Sequence, residues 1–203
     1  MKLLLQLHLV VLLAMISLPV EARSLTPLEG LEALRRSFAG LQDFTAELTQ
    51  EKQLSIMKKK LVMQGTIRFK KPDRFMMVLE PPYSGVVLLK DSVLEQRLGT
   101  NGERQRIVLP PEQGLGRWIG AVAKPVSSVP EGMEVQAEQV GNLTNVLIRP
   151  AKGGQVKELT IVLQQDGTVR RLELLERAGD RTVMTFRKTR KNVGLSDADF
   201  RME

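Results

Sequence analysis

The 203-residue chain contains no cysteine and a single histidine, His8, close to its N-terminus. Histidine is the commonest general base, and histidine and cysteine are leading zinc ligands. If residues 1–22 are removed by processing, the remaining 181 residues (203 − 22) have neither side chain. This composition argues against Ser-His triads, cysteine nucleophiles, ordinary zinc sites and disulfides, so we expect no enzymatic activity, no metal and no cofactor.

Aromatic side chains are also scarce, at 4% of residues, whereas the formal net charge is +7. Few rings are therefore available for base stacking, and we expect no nucleic-acid partner. The lysines and arginines are scattered along the chain rather than gathered in one block. Solvated strand faces explain this charge, and attraction to an anionic membrane surface or an acidic partner is the alternative.

The N-terminal residues have the features of a secretory signal peptide. A short basic start precedes an apolar run at residues 3–18, and Val20 and Ala22 occupy the −3 and −1 positions of a cleavage site. The run is short for a membrane-spanning helix, which needs about 20 apolar residues. We therefore expect export to the periplasm, cleavage near Ala22, and one domain over residues 23–203.

The chain then reads as one helix followed by strands. Thr26 and Glu29 frame a capping box with Pro27 at the first helical position, and apolar residues follow at helical spacing from Leu28. From Phe44 onward the apolar period is two, which predicts an antiparallel sheet of about ten strands. Sheets of this size usually curl or close, so the fold class is mainly β, with a curled sheet.

The segment at residues 64–82, QGTIRFKKPDRFMMVLEPP, is the most informative of these strand pairs. Its alternation predicts a hairpin with one apolar face, and methionines on that face suit variable apolar ligands as well as ordinary core packing. A short helix is predicted near residues 115–122, either as a lid over this face or as a surface helix packed on the core. Its apolar side consists of Leu115, Trp118, Ile119 and Val122.

Four segments in order resemble the periplasmic outer-membrane lipoprotein carrier family, LolA. They are QDFTAELTQ at 42–50, GTIRFKKPDRFMMVLEPP at 65–82, LTIVLQQDGTVRRLELLE at 159–176, and the ending at 197–200. The family pattern places F-x-x-x-x-x-Q on the first strand (Phe44 to Gln50), then a G-x-x-x-x-x-R-P-x-x-F hairpin, a D-G hairpin and a short final strand that bears a phenylalanine.

This resemblance implies a curled, incompletely closed antiparallel β-barrel with an N-terminal helix and a helical lid over an apolar cavity. It also implies a monomeric carrier of lipoprotein acyl chains. Such a carrier would receive its cargo from an inner-membrane ABC transporter and pass it to an outer-membrane acceptor. The cargo-binding residues implied are Leu48, Met63, Ile67, Phe69, Phe75, Met77 and Leu79, with the lid at Leu115, Trp118, Ile119 and Val122.

Lys71 departs from the family pattern, in which an arginine of the hairpin braces the lid. Lysine keeps the positive charge but lacks the planar fork of arginine, so Lys71 is either a lid brace or a solvated turn charge. Two other functions remain open. One is a LolA-like carrier of other acyl lipids or glycolipids, and the other is an envelope sensory or interaction module that binds a protein instead of lipid.

Overall fold

The computed structural model describes residues 22–56, 60–99, 102–110, 120, 124–151 and 154–202. Within these ranges the chain forms a helix α1 (Pro27–Ala39), an antiparallel β structure, and a 3₁₀ turn at Asp197–Asp199. The strands are β1 (Ala22–Leu25), β2 (Asp43–Gln53), β3 (Lys60–Lys70), β4 (Arg74–Leu79), β5 (Gly85–Lys90), β6 (Val93–Leu98), β7 (Arg104–Val108), β8 (Met133–Val140), β9 (Leu143–Pro150), β10 (Val156–Gln164), β11 (Val169–Glu176) and β12 (Arg181–Lys191).

The described strands make one open sheet in the order β1-β8-β9-β10-β11-β12-β2-β3-β4-β5-β6-β7. Every pair in it is antiparallel, and β1 and β7 form its two edges. The predicted mainly β fold with an unclosed sheet is thus confirmed. Strand β1 was not predicted, because its four residues are too few to show a period and they adjoin the expected cleavage point.

Helix α1 begins at the predicted capping box. The Thr26 hydroxyl accepts the Glu29 N–H at 3.2 Å, and the Glu29 carboxylate accepts the Thr26 N–H at 2.7 Å. Leu34, on the predicted apolar face, is buried and Leu31 packs beside it, whereas Leu28 at the start of the helix is 40% exposed and Gly30 is buried. A Cβ on Gly30 would lie 2.5 Å from the Ala137 Cβ, so glycine allows the helix to approach β8 closely.

The inner face of the sheet carries two apolar clusters. In the first, Leu34 of α1 packs on Val135, Ala137, Val146 and Leu163, so the helix covers the β8–β10 half. The second cluster lies on β2–β4 around Leu48 and Ile67, and it includes Met184 and Phe186 of β12. The helix therefore covers one half of the inner face, and the other half is left free to line a cavity.

The outer face of β4 and β5 is covered by the C-terminal segment of the chain. Phe200 is buried against Met76 and Leu88, with Leu195 and Met202 packed beside them. The ending at 197–200 is a 3₁₀ turn and not the short strand that the resemblance implied. The reason is local, because the Asp199 carboxylate accepts the Ser196 N–H and hydroxyl at 2.7 Å each and so closes the turn.

In the part of the chain that the structure describes, α1 is the longest helix, and none is long and apolar enough to span a membrane.

Candidate functional site

The register of β2, β3 and β4 aligns the predicted apolar residues on one face. Residues directly opposite one another in antiparallel strands point to the same side of the sheet. Phe44, Phe69 and Phe75 form one cross-strand row. The next rows are Ala46, Ile67 and Met77, then Leu48, Gly65 and Leu79. The alternation of apolar residues therefore predicted the correct face of the sheet for every candidate cargo-binding residue on β2, β3 and β4.

A cavity of about 400 Å³ lies between this face and the C-terminal end of α1. Its volume falls in the usual range for small-molecule sites. The Phe44 and Phe69 rings pack at a centroid distance of 5.4 Å in its wall. Its apolar lining consists of Phe38, Leu41, Phe44, Ile67, Phe69, Phe75, Val169, Leu172, Met184 and Phe186.

The predicted cargo residues divide into two groups. Ile67, Phe69 and Phe75 line the cavity directly. Leu48, which is 2% exposed, and Leu79 are core residues of the second apolar cluster, which adjoins the cavity. Met63 and Met77 are partly buried and pack against that cluster. The second group therefore extends the same apolar face beyond the cavity, and a role in cargo binding remains a prediction for both groups.

Several lining residues were not predicted from the sequence. Met184 and Phe186 reach the cavity because β12 pairs with β2, where Phe186 lies opposite Leu48 and Met184 opposite Gln50. Their own alternation on β12 is visible in the sequence, but nothing local indicates that β12 adjoins β2. Phe38 and Leu41 were missed as wall residues because their position depends on how α1 crosses the sheet.

The turn between β10 and β11 forms the polar rim of the cavity. The Asp166 carboxylate accepts the Thr168 hydroxyl at 2.7 Å and the Thr168 N–H at 2.8 Å, and these bonds hold the pKa of Asp166 below its ordinary value. Gly167 lies at φ +76°, and a Cβ there would stand 3.2 Å from the Ser37 Cα. The turn is thus fitted closely against the end of α1.

Lys71 lies in the turn between β3 and β4 and contacts the end of α1. Its ammonium group donates to the Phe38 carbonyl at 2.7 Å. A cation at this point satisfies a C-terminal helix carbonyl and complements the helix dipole. Of the two interpretations of Lys71, a solvated turn charge does not describe this partly buried contact.

The predicted lid residues Leu115, Trp118, Ile119 and Val122 lie outside the described residues. The lid, and the role of Lys71 in bracing it, therefore remain predictions.

Gln50 completes the F-x-x-x-x-x-Q pattern and lies between Met63 and Met184 in the register. Its carbonyl oxygen is buried and has no hydrogen-bond partner among the described residues. A buried acceptor without a partner costs roughly 1–3 kcal/mol. Gln50 therefore interrupts the apolar character of this face.

A larger cleft, of about 1020 Å³, lies along β1 and β8–β11. Its walls include Arg171 and Glu173, which form an ion pair at 3.0 Å, together with polar side chains such as Asn145. Bringing an apolar ligand here would desolvate charged groups, at a cost that an apolar wall avoids. The smaller cavity is therefore the better site for an apolar ligand.

Residues 119–203 match the sequence model of the family described as "Outer membrane lipoprotein carrier protein LolA". A comparison with curated protein sequences finds no match.

Three solved structures illustrate the likeness in fold. A DUF1329 family protein from Desulfovibrio piger is 14% identical, with 86% of this chain and 97% of that chain covered and a TM-score of 0.48. A LolA superfamily protein from Nitrosomonas europaea is 11% identical, with 88% and 98% covered and a TM-score of 0.44. The MucA/MucB complex structure from Pseudomonas aeruginosa gives 10% identity, 88% and 62% coverage, and a TM-score of 0.47. These three likenesses concern the fold alone.

Proposed function

We propose that this chain, which is LolA-like and matches the LolA family model over residues 119–203, binds the acyl chains of lipoproteins in its apolar cavity. In this proposal it is a periplasmic carrier that takes lipoproteins from the inner to the outer membrane. The observation that carries the proposal is the cavity between α1 and the β2–β4 face, whose walls are phenylalanine, methionine and aliphatic side chains.

Binding an acyl chain requires burial of its apolar surface and does not require a catalytic side chain. Each methylene group transferred from water to an apolar site contributes about 0.8 kcal/mol, so a long chain binds tightly without a specific polar contact. Release must then come from a change in the cavity or from a competing acceptor. An inner-membrane ABC transporter and an outer-membrane acceptor are the partners that the LolA resemblance implies for loading and release.

A carrier of other acyl lipids or glycolipids is the second candidate. Among the described residues that line the cavity, Lys191 is the only charged one. An apolar wall recognises the chain and not the molecule that bears it, since discrimination requires polar groups that a wrong ligand leaves unpaired. This lining suits a triacylated peptide and a free acyl lipid equally.

Native mass spectrometry of the protein purified after export tests the proposal. We expect the intact mass to include a bound acyl compound, and fragmentation to show whether it is a triacylated peptide or another lipid. A triacylated peptide supports lipoprotein transport, and a different acyl lipid supports the second candidate. A protein that is purified empty and takes up no acyl compound from added lipid would rule out both.

A substitution in the wall tests the location of the site. We expect Phe75→Glu to fold, because Phe75 is only partly buried, and to retain at least tenfold less acyl ligand, because it places a carboxylate in the apolar wall. Thr66→Glu is the matched control, since it adds the same charge to an exposed position on the outer face of the neighbouring strand. Equal ligand retention by the two variants would show that the cargo lies elsewhere.

A further inference from the structure

A polar side chain lies at one end of the apolar inner face. On β2 the residues that point to this face are Phe44, Ala46, Leu48 and Gln50, because side chains alternate along a strand. Phe44 and Gln50 are six positions apart (50 − 44), so at about 3.4 Å per residue the face runs for about 20 Å before its first polar side chain. Lys52 follows on the same side. Gln50 therefore lies at the boundary between the apolar wall and a polar row.

The cross-strand neighbours of Gln50 place it beside the cavity. Gln50 lies opposite Met184 of β12 and Met63 of β3, and Met184 lies opposite Leu172 of β11. Residues opposite one another in antiparallel strands point to the same side of the sheet. Met184 and Leu172 both line the cavity. Gln50 is therefore one strand, about 4.8 Å, beyond the lining residue Met184.

The carboxamide of Gln50 has an acceptor that the described residues leave unused. Its carbonyl oxygen is the one buried side-chain atom in that part of the chain without a hydrogen-bond partner. Asp43, at the start of the same strand, shows the usual arrangement, since its buried carboxylate accepts three backbone N–H groups. Folded proteins pair nearly all buried acceptors, and an apolar side chain of similar shape avoids the loss altogether. A ligand therefore explains glutamine at this position better than packing does.

The two methionines beside Gln50 allow a ligand to reach it. Met63 and Met184 are partly buried and pack against the second apolar cluster. Methionine side chains are unbranched and flexible, so they adapt to a ligand more readily than branched or aromatic side chains do. An acyl chain that enters the cavity can therefore displace Met184 and bring its polar head next to the Gln50 oxygen.

The chemistry of the glutamine carbonyl determines which polar head it pairs with. An acyl chain joined through a secondary amide carries an N–H donor at its head, whereas an ester-linked chain carries oxygen acceptors alone. A site built to pair with an N–H or O–H group rejects an analogue that lacks it, since the buried polar group is then left unpaired. Gln50 can therefore distinguish two acyl chains that an apolar lining binds alike.

We propose that Gln50 selects acyl chains linked through an amide over acyl chains linked through an ester, by accepting a hydrogen bond from the amide N–H group. The inference rests on the proposed function, because it requires an acyl chain in the cavity. One chain of a triacylated peptide is amide-linked, whereas the chains of a glycerophospholipid are ester-linked. Gln50 thus supplies a preference for acylated peptides that the apolar lining itself lacks.

Three matched ligands test recognition of the N–H group. They are N-methyldodecanamide, N,N-dimethyldodecanamide, which has no N–H, and the ester methyl dodecanoate. Each competes with a fluorescent acyl probe for the protein purified after export and freed of lipid. We expect the ratio of N-methylamide affinity to ester affinity to be about three- to tenfold higher for the unmodified protein than for Gln50→Met. The ratio for the dimethylamide should be the same in both proteins, and an unchanged ratio for the N-methylamide would overturn the proposal.

Gln53→Met is the matched control for Gln50→Met. Gln53 lies on the same strand but is exposed, and it points to the other face of the sheet, opposite Arg181 of β12. We expect Gln53→Met to keep the affinity ratio of the unmodified protein. An equal fall of the ratio in both variants would contradict a specific role of Gln50.

Thermal unfolding without ligand separates recognition from a structural role. We expect the Tm of Gln50→Met to be no lower than that of the unmodified protein, because an apolar side chain replaces a buried acceptor that has no partner among the described residues. A clearly lower Tm, with weaker binding of all three ligands, would mean that Gln50 supports the fold and that the inference is wrong. Gln50→Leu repeats both measurements with a different apolar side chain.

The inference and the proposed function can fail separately. If the unmodified protein and Gln50→Met bind the N-methylamide and the ester in the same ratio, acyl-chain binding stands and Gln50 has no part in selecting the head of the chain. If neither the probe nor any of the three ligands binds to the unmodified protein, the acyl-chain site is wrong, and the inference is wrong with it.

Discussion

Lys71 connects the β3–β4 turn to the helix that closes the cavity. Its ammonium group meets the Phe38 carbonyl at 2.7 Å, and the Phe38 side chain lines the cavity. An arginine at this position could offer two parallel donors, whereas lysine offers a point charge with rotatable protons. The contact therefore holds the helix end without fixing a planar orientation.

We expect Lys71→Met to lower the free energy of unfolding by about 1–2 kcal/mol, because it removes a charged donor from a helix carbonyl. Lys157→Met is the control, since Lys157 is exposed and its substitution also removes one positive charge. Urea unfolding followed by circular dichroism measures both. Equal stability of the two variants would contradict a bracing contact.

Gly30 matters for packing because it has no side chain. Because the Ala137 Cβ would stand 2.5 Å from an added Cβ and has no rotamer with which to yield, Gly30→Ala should force α1 away from β8 and cost about 1–3 kcal/mol. Gly40→Ala meets no atom within 4 Å and has an ordinary φ of −93°, so its effect should be close to zero or slightly favourable. Thermal unfolding of both proteins distinguishes a close contact from a general intolerance of side chains.

At the scale of elements, the C-terminal segment is bound to the start of β2. The buried Asp43 carboxylate accepts the N–H groups of Val193, Gly194 and Leu195 at 2.7–3.2 Å. These bonds direct the chain across the outer face of the sheet to the site where Phe200 packs. We expect Asp43→Ala to cost roughly 3 kcal/mol, since it removes the carboxylate that accepts three backbone N–H groups, and limited proteolysis should then remove the C-terminal residues first.

The same segment carries a pH dependence through Asp197. Hydrogen bonds from Lys70 at 2.9 Å and Arg74 at 3.0 Å hold the pKa of Asp197 below its ordinary value. A carboxylate with a lowered pKa in the folded state contributes stability that is fully present above the ordinary value, about 3.9, and is lost as pH falls through the lowered one. We therefore expect the Tm of Asp197→Asn to fall less steeply below about pH 4 than that of the unmodified protein; parallel curves would contradict this.

At the scale of the whole molecule, the central and edge strands of the open sheet differ in pairing and in exposure to solvent. Strand β2 is paired on both sides, by β3 and β12, whereas β7 is an edge strand whose residues are all exposed. Its Arg104 and Arg106 both approach Glu95, and charges of this kind discourage edge-to-edge association.

Hydrogen exchange should reflect this difference. Amides of β7 need only a local opening to exchange, whereas those of β2 lie at the centre of the sheet and need a larger one. We expect β7 peptides to exchange at least about 100-fold faster than β2 peptides by mass spectrometry at neutral pH. Similar rates would mean that β7 is covered in solution.

The sequence by itself determined which side chains of β2–β4 share a face. Strand alternation is a local property, and a hairpin with a short turn allows little choice of register, so the sequence alone predicts that Phe69 and Phe75 lie on the same face of the hairpin. The capping box of α1 is predictable for the same reason, because its hydrogen bonds join residues three apart.

Only the tertiary structure decided what completes the cavity. Strand β12 joins β2 although more than a hundred residues separate them, and that pairing brings Met184 and Phe186 to the wall. Likewise, Lys71 meets Phe38 only because α1 crosses the sheet at one particular place, which the absent side chain of Gly30 helps to set. Such contacts depend on the simultaneous burial of distant segments, and no short-range pattern records which of them will meet.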